Sequence, residues 1–133
     1  MSTKAEYAVS LYEQGYNCAQ SAACAFCKEF GVDEQKMFKI AEGFGLGMGM
    51  MEMCGALTGA MMVIGLSNSV GDLSKDPATK GSIYKLNKEL VRKFKEKNGA
   101  CLCRELKGIK TGKVLCSCSQ CIRDAVAILE ESV

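Results

Sequence analysis

The chain has no histidine. That absence removes Ser–His and Cys–His catalytic pairs, His-ligated zinc or haem, and the C-x-x-C-H haem attachment. Any metal would have to be held by thiolate, thioether or carboxylate. Tryptophan is also absent, proline occurs once (Pro77), and aromatics make up 7% of the residues. That scarcity disfavours an all-β fold and leaves no stacking platform for single-stranded nucleic acid. Charge of one sign is lacking too: 17 Lys and Arg against 15 Asp and Glu give a net charge of +2. No nucleic-acid partner and no anionic membrane follow from such a balance. The longest uncharged stretch, residues 53–71, is apolar only as far as Leu66 and contains Thr58 and several glycines. It suits a buried core helix better than a membrane span, so no membrane insertion is expected. Residues 1–7 hold no apolar core of a secretory signal, and the expected compartment is a reducing cytoplasm.

Cysteine is what the chain has in excess, nine in 133 residues. In a reducing compartment a cysteine-rich chain more often binds metal or does redox work than builds disulfides. The length suits one domain, residues 1–133, with a single core.

Helical spacing dominates the pattern. Ala5, Ala8, Val9 and Tyr12 mark a first helix over 4–14, ended by Gly15. Asn17 caps a second, Cys18 to Phe30, stopped by Gly31. Asp33 caps a third, with Met37, Ile40 and Ala41 on one face. The run Gly43 to Gly49 is too glycine-rich for a helix. An apolar helix then extends from about Glu52 to Leu66, and a loop covers Ser67 to Lys75. Asp76-Pro77 reads as the start of a long amphipathic helix reaching Lys97, with Ile83, Leu86, Leu90, Val91 and Phe94 as its stripe. A short turn covers Cys103 to Lys107, and a last helix runs from about Ser117 to Glu131. The expected fold is all-α, a single bundle of five or six helices.

Four cysteines fall near helix starts: Cys18, Cys54, Cys103 and Cys118. Unpaired N–H groups and the positive end of the dipole favour a thiolate there. Four such starts could face one anionic centre, and an iron–sulfur cluster is such a centre. Cys24 and Cys27 sit among alanines and read as small hydrophobes. Cys101, Cys116 and Cys121 lie close to candidate ligands, as spare ligands, disulfide partners or packing. Cys118-x-x-Cys121 has the spacing of a metal half-site or a redox dithiol. The cluster Met48, Met50, Met51, Met53, Met61 and Met62 reads as gap-filling beside glycines rather than as a copper site. The run Arg92, Lys93, Lys95 and Lys97 reads as a solvated helix face. The glycine string lacks a preceding strand and does not read as a dinucleotide loop.

These residues also carry a resemblance. Gly15-Tyr16-Asn17-Cys18-Ala19-Gln20, Cys54-Gly55-Ala56-Leu57-Thr58-Gly59-Ala60, Cys103-Arg104-Glu105-Leu106-Lys107-Gly108, and Cys118 followed by Ile122 to Leu129 together resemble the redox-active protein family named for a C-GCAxxG-C-C pattern. The second element here reads Cys-Gly-Ala-x-x-Gly where the family label spells GCAxxG. The family is similar to the cysteine-bearing part of split-Soret cytochromes. That resemblance implies an iron–sulfur cluster on Cys18, Cys54, Cys103 and Cys118, while the haem-binding part does not carry over to a chain without histidine. Cys116 and Cys121 crowd the fourth position, and either could replace Cys118.

The leading expectation is an electron carrier or redox accessory protein rather than a stand-alone enzyme, serving an unidentified redox partner. The alternatives are a metal-free thiol–disulfide protein, using Cys118 with Cys121 or Cys101 with Cys103, and a structural tetrathiolate zinc site or other soft-metal binding. The small-residue face Gly55, Ala56, Gly59 and Ala60 permits close helix packing within the chain or across a homodimer.

Overall fold

The computed structural model describes residues 3–74 and 79–133. The Asp76-Pro77 helix start expected from the sequence lies outside the described residues. The helices are α1 (Thr3–Glu13), α2 (Cys18–Cys24), α3 (Cys27–Phe30), α4 (Glu34–Glu42), α5 (Gly55–Asn68), α6 (Thr79–Asn98), α7 (Cys103–Leu106) and α8 (Cys118–Glu130). The fold is all-α, and its only sheet-like pairing among the described residues is an isolated antiparallel bridge, Met53 to Leu102. No described helix is long and apolar enough to cross a membrane.

The helical segments outnumber the five or six expected, for two reasons. The helix expected over 18–30 breaks at Ala25-Phe26, where Phe26 (φ −106°, ψ 0°) leaves helical geometry. Phe26 is buried, and its ring lies 5.2 Å beneath the Lys4 ammonium. Packing there overrides a sequence that is helical by propensity. The second reason is α7, a single turn.

Local signals set most helix starts. Asn17 forms a reciprocal capping box with Gln20, both hydrogen bonds being 2.9 Å. Asp33 accepts from the Lys36 N–H at 3.0 Å, and Ser117 from the Gln120 N–H at 3.2 Å.

Residue size then sets the packing. Ala19 and Ala22 of α2 face Gly55 and Gly59 of α5, all buried. A Cβ added at Gly59 would lie 2.5 Å from the Ala19 carbonyl oxygen. Only hydrogen side chains allow this backbone approach. α8 closes the other side with Ile122, Ala125, Val126 and Leu129, and α6 adds Leu90 and Phe94. Each large side chain so buried contributes roughly 1.5–3 kcal/mol. Arg123 of α8 grips Glu6 of α1 through two hydrogen bonds, 2.7 and 3.1 Å. The buried Asp124 carboxylate meets Lys97 at 3.0 Å and Gln120 at 2.8 Å.

Between α4 and α5 the backbone turns left-handed. Leu46, Gly47, Met48 and Gly49 have φ of +54°, +58°, +61° and +74°, and Met51 follows at +57°. A left-handed conformation costs a non-glycine residue about 1–2 kcal/mol. At Gly47 a side chain is excluded, because its Cβ would collide with the Glu52 backbone. Contacts downstream hold the turn: the Glu52 N–H donates to the Gly47 carbonyl at 3.2 Å, and the Glu52 carboxylate binds Arg104 at 3.1 and 3.2 Å.

Candidate functional site: a six-cysteine cavity

Four chain segments deliver cysteines to one place. Cys18 opens α2, directly after Asn17, whose Nδ2 also donates to the Glu42 carbonyl at 2.9 Å. Cys54 is the N-cap of α5, not a residue of its first turn, because the helix begins at Gly55 rather than near Glu52. Cys103 opens α7 and Cys118 opens α8. Two hydrogen bonds across the Met53–Leu102 bridge fix Cys54 beside Cys103. The Cys54 N–H donates to the Cys101 carbonyl at 2.9 Å, and the Cys103 N–H donates to the Glu52 carbonyl at 2.6 Å.

All four of these cysteines line a single cavity of about 170 Å³. Cys116 and Cys121 line it as well, together with Tyr12, Leu46 and Lys107. Broader grooves exist, of about 670 Å³ over α6 and about 390 Å³ beside the 99–115 segment, but neither contains a cysteine. Six of the nine cysteines therefore gather on the smaller cavity. Cys18 and Cys118 are half-buried, whereas Cys54, Cys103, Cys116 and Cys121 are buried. All nine cysteines are free thiols.

The sulfurs form two hydrogen-bonded sets. In the first, the Cys18 thiol donates to Cys118. This drives Cys18 above the ordinary thiol range, burial adding to the shift. Cys118 is held down to about 5 by that bond, by the Tyr12 hydroxyl and by the Lys107 ammonium, against the opposing effect of burial. Tyr12 is raised to about 12, first by burial and then by its bond to Cys118. In the second set, the Cys121 thiol donates to the Cys116 carbonyl oxygen at 3.8 Å, and the neighbouring Cys116 and Cys54 thiols push it up. Cys116 is lowered by that contact. Cys54 is lowered by the same donor, then by the Ala56 and Leu57 N–H groups at the start of α5. Cys103 is raised, chiefly by burial.

Among the described residues no group of three or more Cys, Asp or Glu converges so as to hold a single metal ion. The sulfurs instead surround a space. A cavity needs only about 10–15 Å³ to admit one water, so this one has room for a group of several atoms. Six thiol groups can bind a soft, thiophilic group or exchange with disulfides.

The remaining cysteines stand apart. Cys24 and Cys27 are each 2% exposed in the core, and burial pushes Cys24 up to about 12. Cys101 contributes its carbonyl to Cys54 but does not line the cavity. Of the thiol pairs expected from spacing, Cys118 meets Cys18 rather than Cys121, which turns toward Cys116 and Cys54. Sequence reading left Tyr12 and Lys107 out of the site. Tyr12 looked like a core-facing residue of α1, and Lys107 carries no signal beyond its place after α7.

No curated protein and no solved structure matches the chain. The sequence model of one family matches residues 16–132, nearly the whole chain. On that match, the chain belongs to the family described as "Putative redox-active protein (C_GCAxxG_C_C)".

Proposed function

We propose that Cys18, Cys54, Cys103 and Cys118 hold an iron–sulfur cluster and that the protein carries single electrons to or from a redox partner. One observation carries this reading: four cysteines spread over 100 positions of sequence line the same cavity. The donor set is all sulfur, as such clusters require. Cys118 and Cys54 are already drawn toward the thiolate form. N–H groups of Ala56 and Leu57 reach the Cys54 sulfur, and Tyr12 and Lys107 reach that of Cys118. Hydrogen bonds of this kind offset cluster charge and tune its potential. Those donors favour Cys118 over Cys116 or Cys121 as the fourth ligand.

A zinc ion fits less well. It needs four sulfurs about 2.3 Å from one point, and the described residues offer no such group. A cluster spreads its thiolates over several irons and tolerates sulfurs set around a space. When bound it would supply one-electron transfer; the protein would supply the ligands, the donors and the apolar shelter of Leu46 and Leu106. Nine free thiols suit a reducing cytoplasm.

The test is anaerobic purification and reconstitution, followed by iron and acid-labile sulfide analysis. Iron and sulfide should load, and single Ala substitutions of Cys18, Cys54, Cys103 or Cys118 should abolish or sharply reduce them. Cys24→Ala and Cys101→Ala should not. A colourless, iron-free product after reconstitution refutes the proposal.

A further inference from the structure

Four ligands leave two cysteines of the cavity without a task, and these two touch. The Cys121 thiol donates to the Cys116 carbonyl oxygen at 3.8 Å, and both side chains line the cavity. They flank the start of α8 in different ways. Cys121 is on the helix, with its N–H bonded to the Ser117 carbonyl at 2.8 Å. Cys116 precedes the cap, with its N–H at 3.4 Å and the Leu115 N–H at 2.9 Å from the Leu106 carbonyl. One sulfur sits on the helix and the other on the segment that leads into it, so closing the pair to the roughly 2.05 Å of a disulfide would shift the Cys116 segment rather than α8.

We propose that Cys116 and Cys121 form a second redox centre, a dithiol that exchanges with small-molecule disulfides entering the cavity. This goes beyond the electron-carrier reading and does not depend on a bound group. Cys116 and Cys121 are only 7% and 3% exposed, so a disulfide on a folded protein cannot reach them. The cavity is the route in, and its half-buried Cys18 and Cys118 and its exposed Leu46 mark the open side.

The chemistry balances without any further oxidant. The Cys116 thiolate attacks one sulfur of the substrate disulfide, that S–S bond breaks, and one thiolate leaves and takes up a proton. Cys121 then gives up its proton and attacks the Cys116 sulfur, forming the internal disulfide and releasing the second thiol. The substrate gains two electrons and the pair loses two. A small dithiol returns the pair to its starting state by the reverse exchange.

The experiment uses the full chain, prepared anaerobically and treated with 2-hydroxyethyl disulfide. Free thiols are then blocked by alkylation under denaturing conditions and the peptides mapped by mass spectrometry. The main crosslink should join Cys116 to Cys121, with two thiols released per disulfide formed and full reversal by dithiothreitol. In Cys121→Ser, verified as folded by circular dichroism, the reaction should stall as a mixed disulfide on Cys116. The inference is overturned if both cysteines stay free in the wild-type chain, or if the main crosslink joins either to a third cysteine or links Cys18 to Cys118. Iron is assayed on the same sample before treatment. Protein that stays iron-free after anaerobic reconstitution and still makes the Cys116–Cys121 bond refutes the cluster and supports the dithiol; iron-loaded protein with both thiols unreacted does the opposite.

Discussion

Gly59→Ala and Gly65→Ala place the same methyl group on the same helix with opposite expected outcomes. At Gly65 nothing lies within 4 Å of the new Cβ, so the variant gains only the helix propensity of alanine, about 1 kcal/mol. At Gly59 the new Cβ would stand 2.5 Å from the Ala19 carbonyl oxygen and 3.0 Å from the Ala22 Cβ. Ordinary contact needs about 3.5 Å, so α5 must retreat from α2 by about 1 Å. Both neighbours belong to a helix and cannot rotate away, and such overpacking costs roughly 1–3 kcal/mol. Set against the same propensity gain, Gly59→Ala should be about 0–2 kcal/mol less stable than wild type and about 1–3 kcal/mol less stable than Gly65→Ala. Urea unfolding measures the gap. With a slope of about 1–3 kcal/mol per molar for a domain of this size, the midpoints should separate by about 1 M. Equal midpoints, or a stabilised Gly59→Ala, would refute the claim that α2 and α5 are in backbone contact. The consequence reaches the cavity, because α2 carries Cys18 and α5 starts from Cys54.

Two further outcomes are expected. Asn17→Ala removes one side of the capping box and the bond to Glu42, and should lower stability by about 1–2 kcal/mol in a thermal melt; an unchanged melt would deny the cap its role. In the iron-free protein, Cys118 should titrate near pH 5, against about 8.5 for an unfolded thiol. Its folded-state value is depressed, so its contribution to stability is full above the unfolded pKa, declines as pH falls, and is gone once pH has passed through about 5. Ultraviolet thiolate absorbance should show a low-pH midpoint that Cys118→Ala abolishes; a midpoint near 8 refutes the hydrogen-bonded thiolate.

Legibility in the sequence followed the range of the interaction. Asn17, Asp33 and Ser117 were readable as caps because each bonds a backbone group three residues away. Cys18, Cys54, Cys103 and Cys118 were readable as a set because a helix start is a local feature; that they line one cavity together with Cys116 and Cys121 is a property of the fold. The break after Cys24 was not readable, since Ala25 and Phe26 are compatible with a helix and the cause lies in the burial of Phe26. Nor was the left-handed turn, where Leu46, Met48 and Met51 adopt a conformation their side chains disfavour. One of the three, Leu46, lines the cavity, and strain of this kind is found at functional sites. Cys116 and Cys121 were visible as neighbours of a ligand. Which thiols they touch depends on how α8 meets α5, a relation that no local spacing contains.

The paired segments 52–54 and 101–103 join across the chain while α6 makes its excursion between them. The chain leaves α5 at Asn68 and returns at Gly99, so that junction is indifferent to the route taken in between. Lengthening a flexible connection twofold costs only about 0.6 kcal/mol. The exposed stretch 71–74 should therefore accept inserted sequence, a tag or even a small domain, and still bring Cys54 and Cys103 together. The fold thus offers a point of attachment beyond the end of α5 opposite Cys54, where a fused partner would leave the cavity walls unaltered.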